Sequence, residues 1–75
     1  MIIGIPKEIK NNEKRVALTP HGADELIRLG HIVYIQENAG RSSGFSSSDY
    51  KKAGAHILSD IKDIYSKSDL IIKVK

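Results

Sequence analysis

Cysteine is missing from the 75 residues, so neither a disulfide framework nor a thiolate zinc site can reinforce the fold. That absence fits a reducing compartment. Aromatic residues are few, three Tyr and one Phe, which leaves little to stack on nucleic-acid bases. The basic excess is small. Twelve Lys and Arg stand against nine Asp and Glu, a net charge of +3, and the cations are interleaved with acids at Lys7-Glu8, Glu13-Lys14-Arg15 and Asp49-Tyr50-Lys51-Lys52. A nucleic-acid binder shows a clustered basic stripe instead, and no nucleic-acid partner is expected. No apolar run approaches the roughly 20 residues of a membrane span, and Met1 leads directly into Ile2-Ile3-Gly4-Ile5 without a basic leader. Neither a membrane nor a signal peptide is expected, and the default location is the cytoplasm. A chain of this length makes at most one domain and buries about 60% of its unfolded surface.

What is there alternates between strand and helix. Ile2-Ile3-Gly4-Ile5 is a short β-branched run stopped by Pro6, suited to a strand buried on both faces. Lys7 to Arg15 is polar and aperiodic, a long loop, after which Val16-Ala17-Leu18 returns to the core. Thr19 and Pro20 supply an N-cap and a first helical residue whose missing N–H costs nothing. Ala23, Leu26 and Ile27 form the apolar face, and Gly30 can take the left-handed position after the helix. Ile32-Val33-Tyr34-Ile35 reads as a second strand. Residues 38–48 are rich in Gly and Ser and read as a loop. Ser46 and Asp49 are spaced for a capping box, and Phe45 and Tyr50 for a hydrophobic staple. The short helix they start ends at Gly54. Residues 55–58 make a third strand, Ser59 or Asp60 caps a third helix with Ile61, Ile64 and Tyr65 on its apolar face, and residues 70–75 make a fourth strand. The order βαβαβαβ implies right-handed crossovers and an open, mainly parallel α/β sheet, Rossmann-like or flavodoxin-like. Because the fourth strand has nothing after it, Lys75 reads as a truncation point, with that residue disordered or paired to another chain.

Ligands of open parallel sheets sit beyond the carboxyl ends of the strands. Arg15, closing the first loop, and Lys75, ending the fourth strand, both belong there, and a guanidinium fork beside an ammonium suits a carboxylate. On charge alone, two solvated surface cations are the simpler reading. Lys73 shares Lys75's side of the pleat and can add charge or reach solvent. Glu8 and Glu13 are a possible acid–base pair, but an aperiodic loop predicts no fixed geometry for them. Asn38 to Gly44 lacks the spacing of a phosphate loop and reads as a turn. His21, His31 and His56 lack ligand spacing, so no metal is expected.

Three longer segments are more specific: Gly4-Ile5-Pro6-Lys7-Glu8, Asn12-Glu13-Lys14-Arg15-Val16-Ala17-Leu18-Thr19-Pro20, and Leu26-Ile27-Arg28-Leu29-Gly30. Together with Ala39-Gly40, Ser43-Gly44-Phe45, Tyr50, Ala53-Gly54-Ala55 and Ile72-Lys73-Val74-Lys75, they resemble the amino-terminal signature shared by alanine dehydrogenases and the alpha subunit of the proton-translocating transhydrogenase. Ala23 departs from the usual Val and thins the helix face. The resemblance implies an amino-terminal part of a substrate domain, residues 1–75, with the NAD-binding domain elsewhere in the protein. It implies the reversible deamination of L-alanine: hydride passes from the α-carbon to NAD, and the imine hydrolyses to pyruvate and ammonia. It implies that Arg15 and Lys75 hold the substrate carboxylate, orienting the α-carbon. The family's proton-transferring His and Asp and its glycine-rich nucleotide fingerprint lie beyond residue 75. No catalytic or cofactor-binding residue is therefore assigned in this chain, and residues 1–75 alone are expected to be inactive. A homohexamer is what the resemblance implies for the whole protein.

Within the resemblance, the transhydrogenase subunit typically carries Asn where Lys75 stands, so Lys75 favours the dehydrogenase. Residues 7–12, Lys-Glu-Ile-Lys-Asn-Asn, point the same way. Saccharopine dehydrogenases share a looser form of the Arg15–Pro20 segment. A non-catalytic fragment is the alternative from a different class.

Overall fold

The structure is a computed structural model that describes residues 1–9 and 13–75; Lys10, Asn11 and Asn12, part of the loop motif, lie outside the described residues. Strand β1 (Ile2–Ile5) leads through the long loop to α1 (Pro20–Arg28) and β2 (Ile32–Gln36). A single 3-10 turn at Arg41–Ser43 precedes α2 (Ser47–Lys52), then come β3 (His56–Leu58), α3 (Ile61–Lys67) and β4 (Leu70–Ile71). The sheet has the order β3-β2-β1-β4 and every pairing is parallel. This is the open Rossmann-like arrangement expected from the alternation of elements. Right-handed crossovers put α1 and α2 over one face as the chain steps from β1 to β3. They put α3 over the other face as it jumps back to β4.

The local signals act as their chemistry dictates. Thr19 accepts from the Gly22 N–H at 3.1 Å and caps α1. Ser46 and Asp49 close a reciprocal capping box, with bonds of 3.1 and 2.9 Å. The Phe45 and Tyr50 rings meet edge to face, with centroids 6.4 Å apart. Gly30 and Gly54, at φ of 96° and 100°, end α1 and α2 alike. In each case the glycine N–H and the next residue's N–H turn back onto the last helical carbonyls: Gly30 to Ile27, His31 to Leu26, Gly54 to Lys51, Ala55 to Tyr50. These are Schellman closures. The last one also explains why β3 begins at His56 rather than at Ala55, whose N–H is already engaged by α2.

The core lies mainly between the sheet and the α1–α2 layer, where Ile3, Ile5, Val33 and Ile35 meet Ala23, Tyr50 and Ala55. Val16, Ala17 and Leu18 pack against it half-buried. On the opposite face Ile64 of α3 is fully buried. Tyr65, expected on that apolar face, is 48% exposed, because a seven-residue helix over the sheet presents only a narrow buried stripe and Ile64 occupies it.

The fourth strand is shorter than expected. Ladder pairing is confined to Leu70–Ile71, followed by one further bond from the Ile72 N–H to the Gly4 carbonyl at 3.1 Å. Pro6 has no N–H to offer beyond that point. The N–H groups of Val74 and Lys75 turn to the Glu8 carboxylate instead. Lys75 is thus held within the chain, contrary to the expectation that it would be disordered or paired elsewhere.

Gly4 sets how closely α3 approaches the sheet. A Cβ there would lie 2.9 Å from Ser68 Cβ and 3.0 Å from Ile64 Cγ2, and would overlap Ser68 Oγ. Gly4→Ala is therefore expected to lower unfolding stability by about 1–3 kcal/mol, read from the urea midpoint. Ser68→Ala in the same protein removes the overlapping hydroxyl, a buried group without a partner, and should restore part of the loss. An unchanged midpoint for Gly4→Ala would show that α3 does not rest on Gly4.

Candidate functional site

Strand order reverses between β1 and β4: the chain steps outward from β1 through β2 to β3, and the crossover after β3 returns it to the other side of β1. Such a switch point is where open α/β sheets leave a crevice for ligands. The described residues of the loop that leaves β1 there are fastened at three points. Lys7 donates its N–H to Gln36 Oε1 at 2.7 Å. The Ser43 hydroxyl donates to the Lys14 carbonyl at 2.5 Å. The Tyr50 hydroxyl donates to the Leu18 carbonyl at 2.7 Å. Burial pushes the Tyr50 phenol up to about 12, with the neighbouring Asp49 charge adding to it, so Tyr50 remains a donor throughout the neutral range.

The structure brings Arg15 and Lys75 together, on either side of Glu13. Arg15 Nε donates to Glu13 Oε2 and Nη2 to Oε1, each at 2.9 Å. The Arg15 backbone N–H adds a third bond to Oε2 at 3.0 Å. Lys75 Nζ stands 3.6 Å from Oε1. Glu13's side chain is only 4% exposed, whereas those of Arg15 and Lys75 are 68% and 51% exposed. The carboxylate lies behind the cations, and the cations face solvent. Glu8 completes the arrangement by accepting the Val74 and Lys75 N–H groups at 3.0 and 3.1 Å. It ties the loop after β1 to the chain that carries Lys75. The two acids thus have defined partners, contrary to the expectation of no fixed geometry, because Glu8 is anchored by two backbone N–H groups and Glu13 by one backbone N–H and two cations.

Remaining candidates separate from this cluster. Lys73 is exposed. His21 pairs with Glu25 at 3.0 Å one turn along α1, His56 packs beside the Tyr34 ring, and His31 is half-buried after α1. Among the described residues no group of His and acids is placed to hold a metal ion, and no helix is long and apolar enough to cross a membrane. The segment 38–44 forms a turn through Asn38 at φ 65° and Gly44 at φ 88°.

Residues 4–75 match the family model described as alanine dehydrogenase/PNT, N-terminal domain. The chain belongs to this family. It is 49% identical over all 75 residues to an alanine dehydrogenase of Methanococcus maripaludis and 52% identical to one of Bacillus subtilis. It spans 20% of the length of each of these curated relatives. Among solved structures, an L-alanine dehydrogenase superposes with a TM-score of 0.94 at 44% identity. A transhydrogenase from Sinorhizobium meliloti superposes with a TM-score of 0.90 at 34% identity. Each covers 97% of this chain and 20% of the other. The family fold is thus an amino-terminal piece of a longer architecture, shared by the dehydrogenase and transhydrogenase branches.

Gln36, Ser43 and the Tyr50 hydroxyl escaped the sequence reading as loop anchors. Tyr50 carried a usable signal, since a buried phenol requires an acceptor. Gln36 and Ser43 depend on contacts 29 residues away in sequence, and no local pattern marks them. Glu13 stands two residues before Arg15, a spacing that lets one carboxylate take both the backbone N–H and the side chain of the arginine.

These bonds move Glu13's titration. The side-chain bond from Arg15 is the largest cause, followed by the Arg15 backbone N–H, and together with the nearby cations they push it down from 4.5 to about 2. A carboxylate depressed in the folded state contributes stability that is fully present above its unfolded pKa and is lost as pH falls through the folded one. Here that window runs from about 4.5 down to about 2. Side-chain carboxyl NMR should find Glu13 still ionised at pH 3.5, and Arg15→Ala should return its midpoint toward 4.5. A midpoint near 4.5 in the unaltered protein would remove the clasp.

Proposed function

We propose that the full-length protein carrying this chain is an NAD-dependent alanine dehydrogenase, interconverting L-alanine with pyruvate and ammonia. In this reading Arg15 and Lys75 form the carboxylate-binding end of the substrate site. The observation that carries it is the convergence of both cations on one carboxylate at the switch point of the sheet. Glu13 engages both cations in the kind of charge-assisted contact that a substrate carboxylate would make. Positioning is the role these residues would play. Fixing the carboxylate of alanine or pyruvate fixes the direction of the neighbouring carbon at which the reaction occurs.

The residues described here do not fit NAD. The turn after β1, where a dinucleotide-binding unit has its glycine-rich fingerprint, holds Pro6-Lys7-Glu8. The carboxylates of Glu8 and Glu13 line the same loop, next to where a pyrophosphate would need backbone N–H groups and positive charge. The cofactor is therefore assigned to the remainder of the protein, and so is proton transfer. Residues 1–75 alone are proposed to be inactive. A homohexameric assembly and a cytoplasmic location belong to the same proposal. Lys75 favours the dehydrogenase over the transhydrogenase branch, since its ammonium answers a substrate carboxylate, which nucleotide binding alone does not supply.

Full-length protein is expected to reduce NAD only when L-alanine is supplied. Arg15→Ala should lower kcat/KM for L-alanine and for pyruvate by roughly 30- to 1000-fold while leaving NAD affinity near that of the parent. Tight NAD binding without amino-acid-dependent reduction would favour the transhydrogenase reading. Parental kinetics in Arg15→Ala would remove Arg15 from the substrate site.

A further inference from the structure

We infer that Glu13 is a positioning residue, which holds the inner edge of the Arg15 guanidinium so that its outer edge is presented, with the Lys75 ammonium, to the substrate carboxylate. The inference rests on the reading that Arg15 binds that carboxylate, and deepens it by naming what aims the arginine.

The geometry is that of a guanidinium gripped from the side. Glu13 takes Nε and one N–H of Nη2, both at 2.9 Å. The opposite edge, Nη1 together with the outer N–H of Nη2, has no protein partner among the described residues. That edge is itself a fork matched to a carboxylate. One arginine can therefore bind two carboxylates at once, Glu13 through its side and a ligand through its end. Exposure separates the two. The Glu13 side chain is 4% exposed and that of Arg15 68%, so the gripped edge faces the protein and the open edge faces solvent.

Arg15 needs such a grip. It lies on a loop, and a long side chain there would otherwise sample many rotamers and lose that freedom on binding. Glu13 is fixed in turn by the Arg15 backbone N–H at 3.0 Å, so the clasp is referenced to main chain rather than to another mobile side chain. Adjacent Lys14 is anchored through its carbonyl by Ser43. Lys75 Nζ flanks the same Oε1 that Nη2 contacts, so both cations share one carboxylate oxygen.

The double-mutant cycle in the full-length protein separates positioning from plain structural support. Glu13→Gln keeps the shape but offers one acceptor and one donor in place of two acceptors. It should lower kcat/KM for pyruvate by roughly 10- to 100-fold, mostly through KM, with the thermal midpoint near that of the parent. In the Arg15→Ala background the same substitution should cost nothing further, or improve turnover by removing a negative charge left beside Lys75. Arg15→Lys provides an arm independent of any Glu13 variant. An ammonium cannot be gripped on one edge while offering a second fork, so it should lose most of what Arg15→Ala loses. An equal fractional loss from Glu13→Gln in both backgrounds, parental kinetics in Glu13→Gln, or parental kinetics in Arg15→Lys would each overturn the inference. If Arg15→Ala itself has no effect, the failure lies in the proposed substrate site instead.

Discussion

Placing β4 against β1 rather than beyond β3 is the constraint on which the rest of this structure depends. Three successive strands run outward in one direction, and the fourth returns to the start. That return brings residues nearly seventy positions apart in sequence to one end of the sheet. Glu8 meets Val74 and Lys75 there, and Glu13 meets Lys75. Asp69 does the corresponding work at the other end, accepting the Ile2 N–H at 2.8 Å and donating its own N–H to the Ile2 carbonyl at 2.7 Å. The return depends on α3 lying close to the sheet, which depends on the missing side chain at Gly4.

Within that frame, the loop after β1 gains definition from polar contacts rather than from apolar burial. Exposed ion pairs contribute little to stability as a rule, and Arg15 is well exposed. The clasp is better understood as organisation than as stabilisation. Glu13 is shielded, Arg15 is not, and the difference fixes which side of the guanidinium remains open. Ser43 and Tyr50, from the segment after β2, secure the loop at Lys14 and Leu18. Consequently the conformation around Arg15 is supported by both neighbouring strands' continuations.

Most of the fold was legible because its signals are local. The Ser46–Asp49 capping box, the Thr19-Pro20 start and the glycines at 30 and 54 each act within a turn of chain, and every one adopts the geometry that its residues imply. Arg15 and Lys75 could be placed at the carboxyl end of the sheet from strand order of appearance alone. Glu8 and Glu13 could not be given roles, because an aperiodic loop has no period from which to infer direction. Their partners are set by the β1–β4 pairing, a non-local event. The early end of β4 has the same origin: residues 72–75 are apolar and alternating enough for a strand, but Pro6 ends the ladder opposite them and Glu8 captures the N–H groups of Val74 and Lys75. Tyr65 shows the limit of helical periodicity in a helix this short.

One guanidinium serving two carboxylates is tested most directly by a crystal structure of the full-length protein with pyruvate bound. It should show the pyruvate carboxylate about 3 Å from the outer edge of Arg15 and from Lys75 Nζ, with Glu13 still bonded to Nε and Nη2. Pyruvate bound away from Arg15 and Lys75, or bound there only after displacing Glu13 from the arginine, would contradict it.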